Sequence, residues 1–271
     1  MTTTINPYAE RVDHGPVRFL HRLNPLATIA APMPAIVLLI LARDVATPVS
    51  LFALALVLLL VGAHLRPRML LLVVVALPLL AALLSLSFGL WADASKLPQS
   101  TVLLQVGDYR FTTAAWMLGL ATSTRLTAIV ALSLLAGLTS TGPDLVRAMV
   151  QQLRVPYRIG YTALAAFRFV PRFGHELEVI RAAHRVRGMA GGRGPIAGMR
   201  RYLGYVVPLL AGAIRHAERV ALAMDSRAFG AHAQRTERYV VPFRVRDGVF
   251  ILLFWAATAA AFLLIPTLEL P

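Results

Sequence analysis

Apolar residues fall in five runs, at 26–41, 48–63, 69–91, 112–138 and 248–266, separated by short polar segments and one long one. A helix that crosses the hydrocarbon core of a bilayer needs about 20 largely apolar residues, with a range of about 17–25. The third, fourth and fifth runs reach that length. The first two are shorter and carry or adjoin Pro25, Pro32, Pro34 and Pro48. They read as a helical hairpin divided at Arg43-Asp44, since neighbouring helices can re-satisfy the carbonyls that prolines free inside a membrane.

The long segment, 139–246, has a helical rather than a uniformly apolar period, and three helices are expected in it. The first opens at Thr141 with Asp144 three residues on, a capping box with Asp in place of Glu or Gln. Leu145, Val146, Met149, Val150 and Leu153 share one face, and Pro156 stops the helix by disfavouring it at Val155. The second runs from about Tyr157 to Arg187, with a kink expected near Pro171, a Glu178–Arg181 pair and a stop at Gly188. The third runs from about Ile196 to Arg227, with a kink expected at Pro208. In it Leu203, Val207, Leu210, Ile214, Ala217, Ala221 and Met224 repeat in steps of four and three, a narrow seam suited to another helix. The apolar stretch 202–214 inside it is too short to span.

The expected fold class is therefore all-α: a polytopic integral membrane protein with about five transmembrane helices and an elongated three-helix cytoplasmic domain. Its expected divisions are an N-terminal segment at 1–25, helices 1–4 at 26–138, the helical domain at 139–246, and the last helix with the C-terminus at 247–271.

Composition agrees. Of 271 residues 58% are hydrophobic, 15% charged and none cysteine, against about 45–50% apolar and about 25% charged in soluble domains. A disulfide scaffold and a disordered chain are both excluded. The 27 basic residues, 26 of them arginine, outnumber 13 acidic ones to give +14. Residues 139–246 alone hold 18 arginines and 6 acids. Arg11, Arg18 and Arg22 precede the first run, Arg66 and Arg68 lie between the second and third, and the segments 42–47 and 92–111 net zero. The positive-inside rule then puts the N-terminus and the long segment in the cytoplasm and Glu269 outside. No secretory signal is expected at residues 1–25, which lack an apolar h-region. Because the charge follows topology and no nucleic-acid module is visible, nucleic-acid binding is not expected. Membrane lipid is, since basic residues at the membrane surface attract anionic headgroups by about 1 kcal/mol each.

Chemistry-bearing motifs are few. The only lysine, Lys96, lies between Ser95 and Leu97, so no phosphate-binding loop is present. His175-Glu176 opens like the helical zinc-protease motif, but the fifth position is Val179. His184, His216 and His232 lack metal-ligand spacing. No catalytic residue, metal site or cofactor is expected. Arg125, between Thr124 and Leu126 in the fourth run, is an intramembrane charge that reads either as functional or, with its Ser and Thr neighbours, as a helix-packing residue.

The two long helices end alike. One closes with Ala183-His184-Arg185-Val186-Arg187-Gly188. The other closes with Ala223-Met224-Asp225-Ser226-Arg227-Ala228-Phe229-Gly230. Either arginine alone is a solvated cation suited to the negative end of a helix dipole. Two on one plan, 40 residues apart, suggest more.

At these residues the chain resembles the transmembrane coupling subunit, or T component, of energy-coupling-factor (ECF) ABC importers, the CbiQ/EcfT family. The family's two arginine motifs match Val186-Arg187-Gly188 and Ser226-Arg227-Ala228. Thr141 with Pro143-Asp144, Leu153-Arg154-Val155-Pro156 and Arg168-Phe169-Val170-Pro171 support them. Ala228 departs from the commoner arginine-glycine pair. The resemblance implies a non-enzymatic subunit of a vitamin or transition-metal importer in a bacterial or archaeal cell membrane. It relays the motion of two ABC ATPase subunits, which bind the ATP, to a small membrane substrate-binding (S) subunit. It also implies that Arg187 and Arg227 contact the ATPases, with Val186, Gly188, Asp225, Ser226 and Ala228 shaping the helix ends. Arg193, Arg168 and Arg125 are further candidates. The permease of an ordinary ABC importer is the nearest alternative, and a membrane-embedded hydrolase or transferase a more distant one.

Overall fold

The computed structural model describes residues 18–42, 44–92, 101–106, 109–188, 194–232 and 236–264. Its helices are α1 (Pro25–Ala30), α2 (Met33–Leu41), α3 (Ala46–Gly62), α4 (Pro67–Leu71), α5 (Leu77–Trp91), α6 (Thr113–Thr139), α7 (Gly142–Gln152), α8 (Tyr157–Val186), α9 (Pro195–Asp225) and α10 (Val245–Leu264). The chain is an all-α membrane protein. Its contacts divide it into two compact units, one holding residues 149–240 and the other the described residues on either side.

In the second unit, three helices are long and apolar enough to cross a membrane: Pro67–Trp91, Thr113–Thr139 and Val245–Leu264. Pro25–Leu41 and Ala46–Gly62 are apolar but shorter. The helix α6 is central: 44% of its most apolar window is buried, against 17% for each of the other two spans. Leu39, Leu51, Ala55, Leu59, Leu77, Leu132, Leu135 and Phe254 belong to one core cluster, while Leu79, Leu83, Leu252 and Leu253 point outward.

Lipid tails are as apolar as leucine, so burial of apolar surface contributes little net drive to helix association in a bilayer. Close backbone approach and satisfied polar groups decide instead. Where α5 meets α6, a Cβ added at Gly119 would lie 2.7 Å from the backbone nitrogen of Gly89, and one added at Gly89 would lie 3.3 Å from the carbonyl of Ala115. Ser85 and Gly89 on α5 face Ala115 and Gly119 on α6, a small-xxx-small pairing on both helices.

Prolines shape the first run more than the sequence reading allowed. In place of one helix over 26–41, α1 and α2 are separate, with Pro32 at the junction and Pro34 in the first turn of α2. Pro34 has no N–H with which to bond the carbonyl of Ala30. The indole Nε1 of Trp255 donates to that carbonyl at 3.3 Å and ties α10 to α1. Between α4 and α5, residues Leu72–Ala76 form a π-helical turn, closed by the amide of Leu77 on the carbonyl of Leu72 just before Pro78. A wide turn there keeps the proline ring off the preceding carbonyls.

At the N-terminal ends of α1 and α10 two side chains cap each other's surroundings. Asn24 accepts from the amide of Leu26 at 2.9 Å and donates to the carbonyls of Val241 and Pro242 at 3.4 and 3.3 Å. Asp247, only 1% exposed, accepts from the amide of Asn24 at 2.8 Å and from that of Arg244 at 2.7 Å. Each carboxylate oxygen thus takes a helix-end donor that otherwise has no partner within its helix. Asp44 does the same for α3, accepting from Thr47 at 2.7 Å, at the division expected between the first two runs.

An antiparallel hairpin of β1 (Val102–Val106) and β2 (Tyr109–Thr112) precedes α6 and was not anticipated from the sequence. It ends where the side chain of Thr112 caps α6 by accepting from Ala115 at 3.3 Å. Arg193, Lys96 and Glu269 lie outside the described residues.

Replacing Gly119 with Val forces backbone off backbone, and should lower unfolding stability in mixed micelles by about 3 kcal/mol. Gly137→Val on the same helix, where nothing lies within 4 Å, should be close to neutral. Asp247→Ala leaves two amides without an acceptor and should cost about 3 kcal/mol in the same assay.

Candidate functional site

The unit of residues 149–240 is built on α8 and α9, of 30 and 31 residues. Their contacts define an antiparallel pair: the ring of Phe169 stacks on His216 with centroids 4.4 Å apart, Gly212 approaches the carboxylate of Glu176, and His184 meets Tyr205 edge-on at 5.1 Å. Arg181 lies over the rings of Tyr202 and Tyr205 at 5.9 Å, within the range of a cation–π contact. Glycines and aromatic side chains therefore make the interface, and close approach at Gly212 leaves only Glu176 above it.

The seam expected on α9 does not face α8. Leu203, Val207, Leu210 and Ile214 are 57–72% exposed, and Ala217 and Ala221 are exposed too. The four-three repeat is present, but the face opposite it carries Tyr205, Gly212 and His216 to α8. The apolar stripe of α9 is left open.

Both arginine motifs are helix C-caps of one design. At the end of α8 the amide of Arg187 donates to the carbonyl of Ala183 at 3.1 Å and that of Gly188 to Arg185 at 3.1 Å; Gly188 has φ +72°. Among the described residues no atom lies within 4 Å of a Cβ added there, so the left-handed backbone, not space, calls for glycine. Past α9 the amide of Ala228 donates to Asp225 at 2.9 Å and that of Phe229 to Met224 at 3.0 Å, while Ala228 has φ +54°. Those two bonds make a complete Schellman motif with Arg227 as the cap residue and Ala228 in the left-handed position usually held by glycine. In both motifs the residue after the arginine reverses the chain, and the arginine is left at the tip.

The second tip is anchored to the start of α8. The ring of Phe229 meets those of Tyr157 and Tyr161 edge-on at 5.7 and 6.4 Å. The guanidinium of Arg158 donates to the carbonyl of Gly230, the hydroxyl of Tyr157 to that of His232 at 2.6 Å, and that of Tyr161 to the carboxylate of Glu237 at 2.6 Å. Phe229 was part of the closing motif read from the sequence, but its partners Tyr157, Arg158 and Tyr161 were not singled out; the only signal was two tyrosines four residues apart, on one face of a helix. Ser226 covers the carbonyl of Ala223 at 3.1 Å.

Val186, Arg187, Gly188, Asp225, Ser226, Arg227 and Ala228 are all exposed. Among the described residues neither the Arg187 nor the Arg227 guanidinium has a hydrogen-bond or ion-pair partner. The antiparallel pairing places them at opposite ends: with Phe169 beside His216 and His184 beside Tyr205, Arg227 lies level with the first turn of α8, about 40 Å from Arg187 at 1.5 Å per residue. Arg168 is on neither tip: it is 19 residues before Arg187 on the same helix, about 28 Å along the axis. Arg125 belongs to the other unit, in α6. Its Nε is buried with no hydrogen-bond partner among the described residues, and the hydroxyls of Thr122, Ser123, Thr124 and Thr127 bond carbonyls of their own helix.

A family model described as "Cobalt transport protein", CbiQ, matches residues 16–238. The chain is similar to three proteins called energy-coupling factor transporter transmembrane protein EcfT. That of Streptococcus equi subsp. equi is 25% identical over 250 residues, covering 86% of this chain and 88% of that protein. The one from Listeria innocua is 26% identical over 262 residues, 88% and 93% of the two chains. For Leuconostoc gelidum the figures are 26% over 173 residues, 58% of this chain and 65% of the relative. The family match contains both arginine-capped helix ends and the apolar helices before them, and the chain belongs to the CbiQ/EcfT family.

Proposed function

We propose that this chain is the coupling subunit of an ECF-type ABC importer for a vitamin or a transition-metal ion. The observation that carries the reading is the pair of exposed arginines, unpartnered among the described residues, each at the tip of a stiff helix just before a left-handed residue. A guanidinium offers five donors in a rigid fork and stays charged at any working pH. Docked in a carboxylate- or carbonyl-lined cleft, each would make charge-assisted bonds of about 1.5–3 kcal/mol. Two such tips at opposite ends of one helical pair give two ATPase subunits separate handles, so that a change in their spacing is transmitted through helices rather than loops. Val186 and Gly188 at one tip, and Asp225, Ser226 and Ala228 at the other, set the direction of the arginine. The open apolar stripe of α9 at Leu203, Val207, Leu210 and Ile214 is the surface offered to a membrane substrate-binding subunit. In this reading ATP is bound by the partners, the chain itself does no chemistry, and the N-terminus and the α8–α9 unit are cytoplasmic.

Arg187→Ala and Arg227→Ala should each reduce co-purified ATPase at least tenfold, and the double variant should insert in the membrane normally yet support no uptake. Wild-type uptake in the double variant would overturn the reading. Ala228→Gly, which relieves the left-handed backbone, should keep uptake at the wild-type level, whereas Ala228→Val, β-branched at positive φ, should lower it severalfold.

A further inference from the structure

Between the turn at Phe19–Arg22, α3 and α10, the membrane unit contains a groove of about 440 Å³. Its walls are apolar: Leu58 on α3, and Phe250, Leu253 and Ala257 along one stripe of α10. Arg22 and Arg246 also line the groove, and both are basic. The guanidinium of Arg246 donates to the backbone carbonyl of Arg22, which sets it against the Phe19–Arg22 turn. From Arg246 to Ala257 is 11 residues, about 16 Å along the helix. One leaflet of a hydrocarbon core about 30 Å thick is about as deep. The carboxylate in the same turn, Asp247, is buried on the amides of Asn24 and Arg244 and does not line the groove.

An apolar slot one leaflet deep, with two arginines in its lining, fits an amphiphile with an anionic head. We propose that this groove binds an anionic phospholipid, with the phosphate between Arg22 and Arg246 and one acyl chain against Phe250, Leu253 and Ala257. The guanidinium fork matches phosphate oxygens pairwise. The site is thus a built one, distinct from the general attraction of basic residues to a charged leaflet, and it does not depend on the coupling role proposed above.

The test uses the full-length chain, delipidated in detergent and titrated with phosphatidylglycerol or phosphatidylcholine, with retained lipid read by native mass spectrometry. The wild type should retain one phosphatidylglycerol at least tenfold more tightly than phosphatidylcholine. Arg22→Gln with Arg246→Gln should abolish that preference, and Arg66→Gln with Arg68→Gln should keep it. Ala257→Phe, which shortens the slot without changing charge, should weaken both lipids at least fivefold. Equal retention of the two lipids by the wild type, or an equal loss of preference in the Arg66/Arg68 variant, would overturn the proposal. Since the chain has no cysteine, Leu253→Cys can carry a single photo-crosslinker in native membranes. A phospholipid adduct supports the proposal, and an adduct with a second copy or another protein refutes it.

Discussion

A buried carboxylate fastens the membrane unit at one end. Asp247 begins α10, Asn24 precedes α1, and more than two hundred residues separate them, yet each satisfies backbone groups of the other's segment. In a lipid environment an unsatisfied amide costs more than an apolar contact contributes, because the lipid offers the same apolar contacts and no hydrogen bonds. The first and last helices are therefore held together by their polar ends, with Trp255 on the carbonyl of Ala30 adding a second tie farther along. Everything between them can then be packed by shape: glycine on glycine at α5 and α6, and branched side chains around α6.

The other unit follows a different rule. Its helices α8 and α9 meet through stacked rings, a cation over tyrosines and a glycine beneath a glutamate, and they leave much of their apolar surface uncovered. Two long helices joined so sparingly are stiff along their axes, because that stiffness comes from their own backbone bonds, but they have little core of their own. Such a pair is suited to being completed by other chains, in keeping with a family whose members are parts of transporters.

Local features of this fold were legible in the sequence where they depend on nearby residues. The long apolar runs, the cap at Thr141, whose hydroxyl accepts from the amide of Asp144 at 3.3 Å, and the glycine stop after Arg187 all rest on periods and caps within a few residues. The arginine tips were legible as motifs, although their geometry was not: nothing in Ser226-Arg227-Ala228 announces that Ala228 takes a left-handed backbone, since alanine is not the residue that conformation favours. What escaped was non-local. The face of α9 that packs depends on which partner is present, so a four-three repeat named the apolar stripe without saying that α8 takes the other side. The Asn24–Asp247 clasp joins the two ends of the chain, and the hairpin before α6 is a pairing of strands with little distinctive alternation.

The antiparallel arrangement of α8 and α9 also makes their length a ruler. Two helices of 30 and 31 residues, reversed against each other, fix the separation of their tips without any loop taking part. Matched insertions of whole turns would widen the span in steps of about 5.4 Å while preserving the caps and the side on which each arginine projects; insertion of a half-turn would swing the tip to the far side of the rod. Length and phase in these two segments are therefore under a joint constraint, and tolerated insertions or deletions there should occur in multiples that complete a turn.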